Sequence, residues 1–450
     1  MMLDILIKNA RIITMDDAMP VIDSGVIGIK DGKIQFVLSS ETFRDFASQV
    51  ECSIYTDVKR VIDAKRNIVM PGLINTHAHA AMCIMRGYAD DYALNEWLFN
   101  KIFPVEAKLN EQAITAGVRL AAAEMLASGT TSFSDMYFCE PAAAEVVAET
   151  GIRASLANPV MALSEDYEFE KDRAVIETRS LIKNFHHAEN DRIRADAAIH
   201  AEYTSSPEIW RKVSDIAKQN DIIMQIHVSE TKKEHEECIG RHGMTPVAVL
   251  NKNGVFDNKT IAAHCVWVTE DDMDILAEKG VSVSHNPVSN LKLASGIANI
   301  RAMLKHGINI TLGTDGCASN NSHDLFEELK LCPLLAKGTG FDPSAVPAYE
   351  ALKAATVNGA RAQGRSGQTG MLKEGYEADL IMIDTNKPKL QPVYDPIGSV
   401  VYSADGNDVI LTMVQGRILY ENGEWTTIDI EKAIAEVYRT AVPLVRSRLN

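Results

Sequence analysis

The sequence lacks long apolar runs and a recognisable leader. No apolar run approaches the ~18 residues that a membrane-spanning helix needs. The first residues, MMLDILIKNARIITMDD, contain no basic segment followed by an apolar one, which a secretory leader would require. We therefore expect neither a membrane partner nor export.

Cysteine is scarce and irregularly placed. The chain has seven cysteines, and no two of them form a CxxC pair. Secreted disulfide frameworks use even numbers of cysteines at regular spacings, so this odd, scattered set does not indicate one. A reducing cytoplasm is the simpler location for this chain.

Positive charge is in deficit. Lys and Arg number 45 against 61 Asp and Glu, which gives a formal net charge of −16. Nucleic acids and anionic membranes are bound by clustered positive charge, so we expect neither as a partner. The expected partner is a small-molecule substrate. The sequence leaves the oligomeric state open, and a homo-oligomer is compatible with it.

Length and composition indicate a large globular protein. The chain has 450 residues, of which 46% are apolar and 24% charged, as in globular enzymes. This length exceeds one ordinary domain of ~150 residues, but closed α/β barrels reach ~250 residues as a single unit. One large barrel with smaller additions therefore fits the length.

Both ends of the chain are predicted to be rich in β-strands. At the start, LDILIKN, GVIGIK and KIQFVLS are aliphatic and β-branched, and Asp31-Gly32 is a hairpin turn signal. At the far end, DVILTMV and RILYENGEW lie on either side of Gln415-Gly416. Thr427 or Asp429 is expected to cap a last helix that extends to roughly Val445, with Pro443 in its final turn.

Between these ends, short apolar runs alternate with helical patterns. The eight runs are IVMPGLIN (68–75), TTSFSD (130–135), RASLANP (153–159), IRADAAIH (193–200), IIMQIH (222–227), TIAAHC (260–265), VSVSH (281–285) and NITLGTD (309–315). Eight strand–helix repeats predict a (β/α)₈ barrel. The alternative is an open doubly wound sheet, but no GxGxxG follows the first run. We expect the barrel at 66–374 and a small β-sandwich built from 1–65 and 375–450.

Histidines concentrate at the carboxyl-terminal tips of the predicted strands. In barrel enzymes this face carries the active site. Asp315 ends the eighth run, and six of the twelve histidines follow or end other runs: His77, His79, His200, His227, His264 and His285. This concentration predicts a catalytic site at the mouth of the barrel.

His77, His79, His227 and Asp315 are the predicted metal ligands. On an extended segment the side chains of residues i and i+2 point the same way, so His77 and His79 can face one ion. Imidazole and carboxylate suit Zn²⁺ or Fe²⁺ without thiolates. Two alternatives remain open at this point. For His77 and His79, the alternative is a pair of core or surface histidines without a metal. For Asp315 in GTDG, the alternative is a turn residue that caps the next helix.

Glu230 and His264 are candidates for proton transfer and for orienting the nucleophile. Glu230 follows His227 by three residues and can reach a metal-bound water without binding the metal, as a general acid or base does. The alternative for Glu230 is a solvated carboxylate in the loop. The alternative for His264 is a hydrogen-bonded core residue, and the alternative for His285 is a residue that only braces loops.

Several motifs occur in order along the chain: PGLINTHAHA, HVSE, AAHC, SHNPVSNLKLASG and LGTDGCASNNSHDLFEEL. Together they resemble the amidohydrolase superfamily, and specifically its metal-dependent aminohydrolase branch, which includes guanine deaminases and s-triazine chlorohydrolases. NEWLFNKIFPVEAKL, SNLKLASG and DGCASNN most resemble the 5′-methylthioadenosine/S-adenosylhomocysteine deaminases. The resemblance covers nearly the whole chain, including the β-rich ends.

The resemblance implies a role for each candidate residue. It places metal ligation on His77, His79, His227 and Asp315, and catalysis on Glu230, His264 and Asp315. It places substrate contacts on Trp97, Glu106 and His200, together with Glu230 and Asp315. Binuclear relatives carry a carbamylated Lys at the end of the fourth strand, where this chain has His200. One divalent ion is therefore implied, zinc before iron.

The implied activity is hydrolytic deamination of a 5′-modified adenine nucleoside. The loop after the third strand, NPVMALSEDYEFEK, has no Arg before Arg173 to meet the carboxylate of S-adenosylhomocysteine. 5′-Methylthioadenosine, 5′-deoxyadenosine or adenosine is therefore at least as well indicated as a substrate. The alternatives are deamination or dehalogenation of another nitrogen heterocycle, and a catalytically silent barrel that acts as a binding protein.

Overall fold

In the computed structural model, which describes residues 2–49 and 58–447, eight parallel strands close into a barrel. Each strand pairs with the next, and the pairing of Asp315 with Ala78 joins the last strand to the first. The strands are β1 (Leu73–His79), β2 (Thr130–Met136), β3 (Arg153–Ala157, continued by Pro159–Val160), β4 (Ala197–Ala201), β5 (Met224–Val228), β6 (Thr260–His264), β7 (Ser282–His285) and β8 (Asn309–Leu312, continued by Asp315–Gly316). The predicted (β/α)₈ barrel is confirmed.

Helices follow the strands and cover the barrel. Those of six or more residues are Glu111–Ala127, Glu140–Thr150, Arg173–Phe185, Pro207–Asn220, Lys232–His242, Pro246–Lys252, Glu270–Glu278, Pro287–Lys292, Ile300–Lys305, Leu325–Gly340, Ala348–Ala354 and Val357–Ala362. Side-chain caps fix several starts: Asn110 accepts from the Ala113 N–H, and Thr231 accepts from the Glu234 N–H. Near the mouth, the short helical segments are Ala80–Met85, Leu94–Glu96, Trp97–Ile102, Phe103–Glu106 and Glu202–Thr204.

Both ends of the chain contribute to a single nine-stranded sheet. Its strands are Leu3–Ile13, Val21–Lys30, Lys33–Ser39, Val58–Asp63, Ile68–Pro71, Leu380–Ile383, Val409–Val414, Arg417–Glu421 and Glu424–Trp425. The two ends join where Ile68–Pro71 pairs antiparallel with Leu380–Ile383. The expected proximity of the β-rich ends therefore takes the form of direct strand pairing.

The first predicted run is two strands rather than one. Ile68–Pro71 belongs to the end sheet, and the barrel begins only at Leu73. Gly72 separates them, and a Cβ there would lie 2.1 Å from Thr131 Cγ2, so this close approach to β2 requires glycine. The fourth run also divides: Ile193–Ala195 pairs with β3, and Ala197–Ala201 forms β4.

The C-terminal helix ends earlier than predicted. Asp429, one of the two predicted caps, accepts from the Lys432 N–H and starts the helix Ile430–Thr440. A second helix, Val442–Arg446, follows it with Pro443 in its first turn. Proline is tolerated in a first turn because its missing N–H has no partner there, which explains the break.

Buried polar contacts join the barrel to the end sheet. Arg153 at the start of β3 donates to both carboxylate oxygens of Asp379, at 2.8 and 3.2 Å, and both side chains are buried. Asp379 also accepts from the Gln415 N–H at 2.7 Å. In the part of the chain that the structure describes, no helix has the length and apolarity needed to cross a membrane.

Candidate active site

A cavity opens at the carboxyl-terminal ends of the barrel strands. Its walls come from the strand tips and from the segments around 94–106 that fold over them. The lining residues are His79, Met82, Leu94, Trp97, Leu98, Phe103, Glu106, Met136, Tyr137, Phe138, Pro159, His200, Tyr203, His227, Glu230, His264, Leu293 and Asp315. Most predicted site residues therefore share one chamber, apolar on its outer side and polar at its base.

Four side chains converge at the base of the cavity in the geometry of a metal site. His77, His79, His227 and Asp315 are buried, and their ligand atoms all lie within 4.8 Å of one another. Asp315 Oδ1 is 3.1 Å from His79 Nε2 and 3.5 Å from His77 Nε2, and the Nε2 atoms of His79 and His227 are 3.3 Å apart. Ligand atoms at about 2.0–2.2 Å from one ion lie roughly 3 Å or more apart, and these three separations are of that size. The set therefore fits one divalent ion.

Hydrogen bonds from outside the cluster orient the ligands. His79 Nδ1–H donates to the Met136 carbonyl at 2.6 Å, and His227 Nδ1–H donates to the His200 carbonyl at 2.7 Å. Each bond places the other ring nitrogen, Nε2, toward the cluster, as is usual for metal-binding histidines. His77 Nε2 is buried, and Asp315 Oδ1, at 3.5 Å, is at the distance limit of a hydrogen bond to it. A bound cation would coordinate this nitrogen directly.

Asp315 is fixed by two serine hydroxyls. Ser289 and Ser319 donate to its Oδ2 at 2.5 and 2.9 Å, which leaves Oδ1 facing the histidines. Burial raises the pKa of Asp315, but the hydrogen bonds of His77 and His79 outweigh burial and hold that pKa well below its usual range. The carboxylate is therefore ionised, as a metal ligand must be.

The histidine ligands differ in protonation when no ion is bound. Burial lowers the pKa of His77 to about 4 and the pKa of His227 well below its usual value. Burial also opposes a proton on His79, but the hydrogen bond and charge of Asp315 raise its pKa to about 9. A metal ion would displace this one proton, because only the neutral imidazole can bind it.

Glu230 and His264 lie side by side next to the metal cluster. His264 Nε2 is 3.7 Å from Glu230 Oε2, and Ser295 donates to Glu230 Oε1 at 3.2 Å. Burial raises the pKa of Glu230, which helps its carboxyl group to carry a proton during a reaction. His264 Nδ1–H donates to Asn290 Oδ1 at 2.8 Å, so its other nitrogen faces the cavity.

The strand tips that carry these groups have strained backbones. Ser229, His264 and Asp315 have φ values of 47°, 72° and 61°, a region that residues with side chains seldom occupy. Such conformations persist where surrounding contacts fix them, and they are frequent at functional sites. Here they turn the chain sharply at the cavity floor.

The predicted substrate contacts lie in the same cavity. Trp97 Nε1 and His200 Nδ1 are buried without hydrogen-bond partners, so both can pair with a ligand. Burial lowers the pKa of His200 to about 3, which keeps this imidazole neutral. Glu106, at the end of the helix Phe103–Glu106, accepts from Tyr137 Oη at 2.7 Å.

His285 is buried outside the cavity lining. Both its ring nitrogens lack hydrogen-bond partners, and burial lowers its pKa to about 3. Its position at the end of β7 does not bring it to the metal cluster. The interpretation of His285 as a structural residue of the barrel mouth fits this placement.

Sequence reasoning missed the residues that orient the site. These are Tyr137, Ser289, Asn290, Ser295, Ser319 and Glu234. Ser289, Asn290 and Ser295 lie in the motif SHNPVSNLKLASG, which was singled out only as a resemblance. The position of Tyr137 directly after β2 was a usable signal, since the carboxyl-terminal end of every barrel strand contributes to the mouth.

The comparisons with known proteins agree with this geometry. The amidohydrolase family model matches residues 68–419. A 5′-deoxyadenosine deaminase from Methanosarcina mazei is 44% identical over 449 residues, which is 100% of both chains. A 5-methylthioadenosine/S-adenosylhomocysteine deaminase from Acetivibrio thermocellus is 43% identical over 445 residues, covering 99% of this chain and 100% of the relative.

Solved structures with bound zinc share the fold. An adenosine deaminase from Xanthomonas campestris matches with a TM-score of 0.91 and 30% identity over 99% of each chain. An atrazine chlorohydrolase from Arthrobacter aurescens matches with a TM-score of 0.86 and 26% identity, over 98% of this chain and 100% of that one. With a family model over most of its length, and relatives more than 40% identical from end to end, this chain belongs to the amidohydrolase family.

Proposed function

We propose that this protein hydrolytically deaminates 5′-modified adenine nucleosides to the inosine analogue and ammonia. The observation that carries the proposal is the placement of three chemical functions in one cavity. The metal cluster forms the base, Glu230 and His264 stand beside it, and Glu106 lies on the wall. The names of the full-length relatives support the same reaction.

His77, His79, His227 and Asp315 would hold one divalent ion, zinc before iron. When bound, such an ion lowers the pKa of water toward ~7 and so supplies the nucleophile at neutral pH. A second group, Glu202, Cys238 and His242, is close enough to hold metal. However, the Glu202 carboxylate already accepts from Arg241 at 2.6 Å and from His242 at 2.9 Å. These satisfied bonds favour a single ion per chain.

Glu230 would move the protons of the reaction. Its carboxylate would accept a proton from the attacking water and deliver it to N1 of the adenine ring as hydroxyl adds to C6. It would then carry the hydroxyl proton to the 6-amino group, which leaves as ammonia while the C6 carbonyl of the inosine analogue forms. His264, held by Asn290, would orient the nucleophile through Nε2, and Asp315 would hold it from the other side. One water is consumed and one ammonia is released for each nucleoside.

The rest of the cavity would recognise the nucleoside. The Glu106 carboxylate offers only acceptors, which match the two hydroxyl donors of a ribose 2′,3′-diol. Trp97 would supply an apolar wall, and the neutral His200 would pair with a ring nitrogen. The loop after β3 lacks an arginine before Arg173, so a methylthio or deoxy 5′ group is at least as well accommodated as an amino-acid one.

Another nitrogen heterocycle is the second candidate substrate. The likeness to an atrazine chlorohydrolase favours it, because the metal and the proton carrier would serve both reactions. The two candidates differ in their need for Glu106, because a free base or a triazine has no ribose diol for this carboxylate to bind. A silent barrel that only binds a ligand is the third possibility, and the complete set of four ligands with Glu230 argues against it.

A substrate panel tests the proposal. Purified metal-loaded enzyme would be assayed for ammonia release with 5′-methylthioadenosine, 5′-deoxyadenosine, S-adenosylhomocysteine, adenosine, guanine and a chlorinated triazine. We expect the nucleosides to be deaminated, and Glu106→Ala to lower their kcat/KM by about ten- to a hundredfold, since charged hydrogen bonds are lost. A preference for guanine or the triazine would promote the second candidate, and no turnover at all would favour the third.

Metal analysis tests the cluster independently of turnover. We expect about one equivalent of divalent metal per chain in the native protein and much less in His227→Ala. Removing the metal with a chelator should lower the melting temperature, because an ion that binds the folded state stabilises it. Full occupancy in both His77→Ala and His227→Ala would contradict the assignment.

The proposed organisation places the barrel at residues 66–374, except for the strand Ile68–Pro71 of the end sheet, and a small β-sandwich domain at 1–65 and 375–450. The nine-stranded sheet that joins both ends supports one composite unit.

A cytoplasmic location is proposed from the acidic charge and the scattered cysteines. Six of these cysteines, at 83, 139, 238, 265, 317 and 332, are free and buried, while Cys52 lies outside the described residues.

A further inference from the structure

Tyr137 connects a rigid barrel strand to the wall of the cavity. It follows β2 directly, one residue after the carbonyl of Met136 that orients His79. Its backbone N–H donates to Glu140 Oε1 at 3.0 Å and to the Ala157 carbonyl at 3.1 Å. Its side chain is buried. The position of the phenol ring is therefore fixed by the barrel itself.

The phenol hydroxyl holds the carboxylate of Glu106. Tyr137 Oη donates to Glu106 Oε1 at 2.7 Å, and within the described residues no other group donates to this carboxylate. Glu106 ends a helix of four residues, Phe103–Glu106, that lies over the barrel mouth. The terminal torsion of a glutamate side chain has broad energy wells, so the carboxylate would otherwise turn freely.

We infer that Tyr137 is a positioning residue that fixes one oxygen of Glu106 and directs the other toward the ribose 2′,3′-diol of the substrate. The inference rests on the proposed function, because it needs a nucleoside. Holding a binding group in its bound orientation improves affinity by removing an ordering cost. The same hydrogen bond favours the ionised carboxylate, which has the acceptors that a diol requires.

A double-mutant cycle tests whether Tyr137 acts through Glu106. Native enzyme, Tyr137→Phe, Glu106→Ala and the double variant would be assayed with 5′-methylthioadenosine, kcat and KM being measured separately. We expect Tyr137→Phe to raise KM by about tenfold while kcat changes less than about twofold. In the Glu106→Ala background the same substitution should have almost no effect, because its partner is gone.

Tyr203→Phe is the matched control. Tyr203 lines the same cavity, and within the described residues its hydroxyl makes no hydrogen bond to Glu106. Its removal should change KM by the same factor in both backgrounds. Equal losses from Tyr137→Phe in both backgrounds would overturn the inference, since Tyr137 would then act independently of Glu106.

Two further measurements, metal content and melting temperature, establish that each variant is folded, and removing one hydroxyl leaves the ring in place. The activities of the native enzyme and of Glu106→Ala then separate this inference from the proposed function. If native enzyme deaminates no nucleoside, or Glu106→Ala is as active as native, the proposed nucleoside site fails. If Glu106→Ala is impaired but the cycle is additive, only the role of Tyr137 fails.

Discussion

Glu230, which is buried, and Glu106, which is half-buried, are two carboxyl groups in one cavity with different surroundings. Glu230 is next to His264 and the metal cluster, with Ser295 donating to Oε1. Glu106 accepts a hydrogen bond from the Tyr137 hydroxyl. Burial raises the pKa of both groups. These different neighbours support the proposed roles, which are proton transfer for Glu230 and substrate binding for Glu106.

Glu230→Gln is expected to separate metal binding from catalysis. The amide keeps the size of the side chain but cannot accept the proton, so kcat should fall by about a hundredfold or more while the metal remains bound. Single-turnover kinetics and metal analysis of the same sample measure both quantities. Loss of the metal in this variant would make Glu230 a ligand and contradict the proposed role.

Nucleoside binding is expected to weaken in acid because of Glu106. Burial raises the pKa of Glu106 to about 7, although the Tyr137 hydrogen bond and the charge of His79 oppose the shift. A group with this pKa is mostly ionised at pH 8 and mostly neutral at pH 6, and only the ionised form accepts from both ribose hydroxyls. We expect 1/KM to fall by up to about tenfold between pH 8 and pH 6. The control is Glu106→Ala, whose 1/KM should not show this step.

The cluster that could hold a metal ion was predictable at the residue scale, but the residues that orient it were not. His77 and His79 alternate on one strand, and His227 and Asp315 end others, so one topological rule brings them together. Ser289 and Ser319 reach Asp315 from separate segments. Tyr137 likewise meets Glu106 across 31 positions of the chain. Such pairs depend on how elements pack, which no local pattern encodes.

The helix Lys232–His242 stabilises the catalytic loop through one residue of its first turn. Glu234 accepts from the N–H groups of Ser229 and Glu230, at 2.8 and 2.7 Å, while its own N–H donates to the capping Thr231. This buried glutamate fixes the backbone that carries Glu230, the proposed proton carrier.

Glu234→Ala should destabilise the protein and slow turnover without removing the metal. Two buried N–H groups lose their partners, at about 1–3 kcal/mol each. We expect the unfolding free energy to fall by about 2–4 kcal/mol and kcat by about tenfold, as measured by urea unfolding and steady-state kinetics. Glu236→Ala on the same helix is the control, because Glu236 is exposed and forms only a surface ion pair with Lys232. Equal effects of the two substitutions would refute this role of Glu234.

The alternation of apolar runs with helical patterns predicted the strands of the barrel and located all eight of them. Contacts between distant segments decided where a predicted run divides into two strands. The run 68–75 is almost entirely apolar, so its sequence shows no boundary. Its division at Gly72 follows from the close approach of Thr131 on β2. The partner of Ile68–Pro71, the strand Leu380–Ile383, lies about 300 residues away, so sequence spacing alone could not identify it.

The buried ion pair between Arg153 and Asp379 links the barrel to the end sheet, and we expect it to raise the unfolding free energy of the whole molecule. Arg153→Met would leave the Asp379 carboxylate buried without its cation, which typically costs about 3–5 kcal/mol. The unfolding midpoint in urea should fall accordingly. The enzyme that remains folded should keep its kcat, because the pair lies at the start of β3, at the opposite end of the strand from the cavity. Arg60→Met is the control, because Arg60 and Glu421 form an exposed pair worth about 0–1 kcal/mol. A small effect of Arg153→Met would show that this link does not stabilise the assembled chain.

The antiparallel pairing of Ile68–Pro71 with Leu380–Ile383 has a consequence for synthesis in the cell. Ribosomes add about 5–20 residues per second, so the N-terminal strands would wait about 15–60 seconds for their partner. During that interval the strand Ile68–Pro71 presents an unpaired apolar edge, the kind of edge to which other nascent chains attach. A chaperone that shields this edge until residue 383 emerges should therefore raise the yield of active enzyme more than one that acts after chain release.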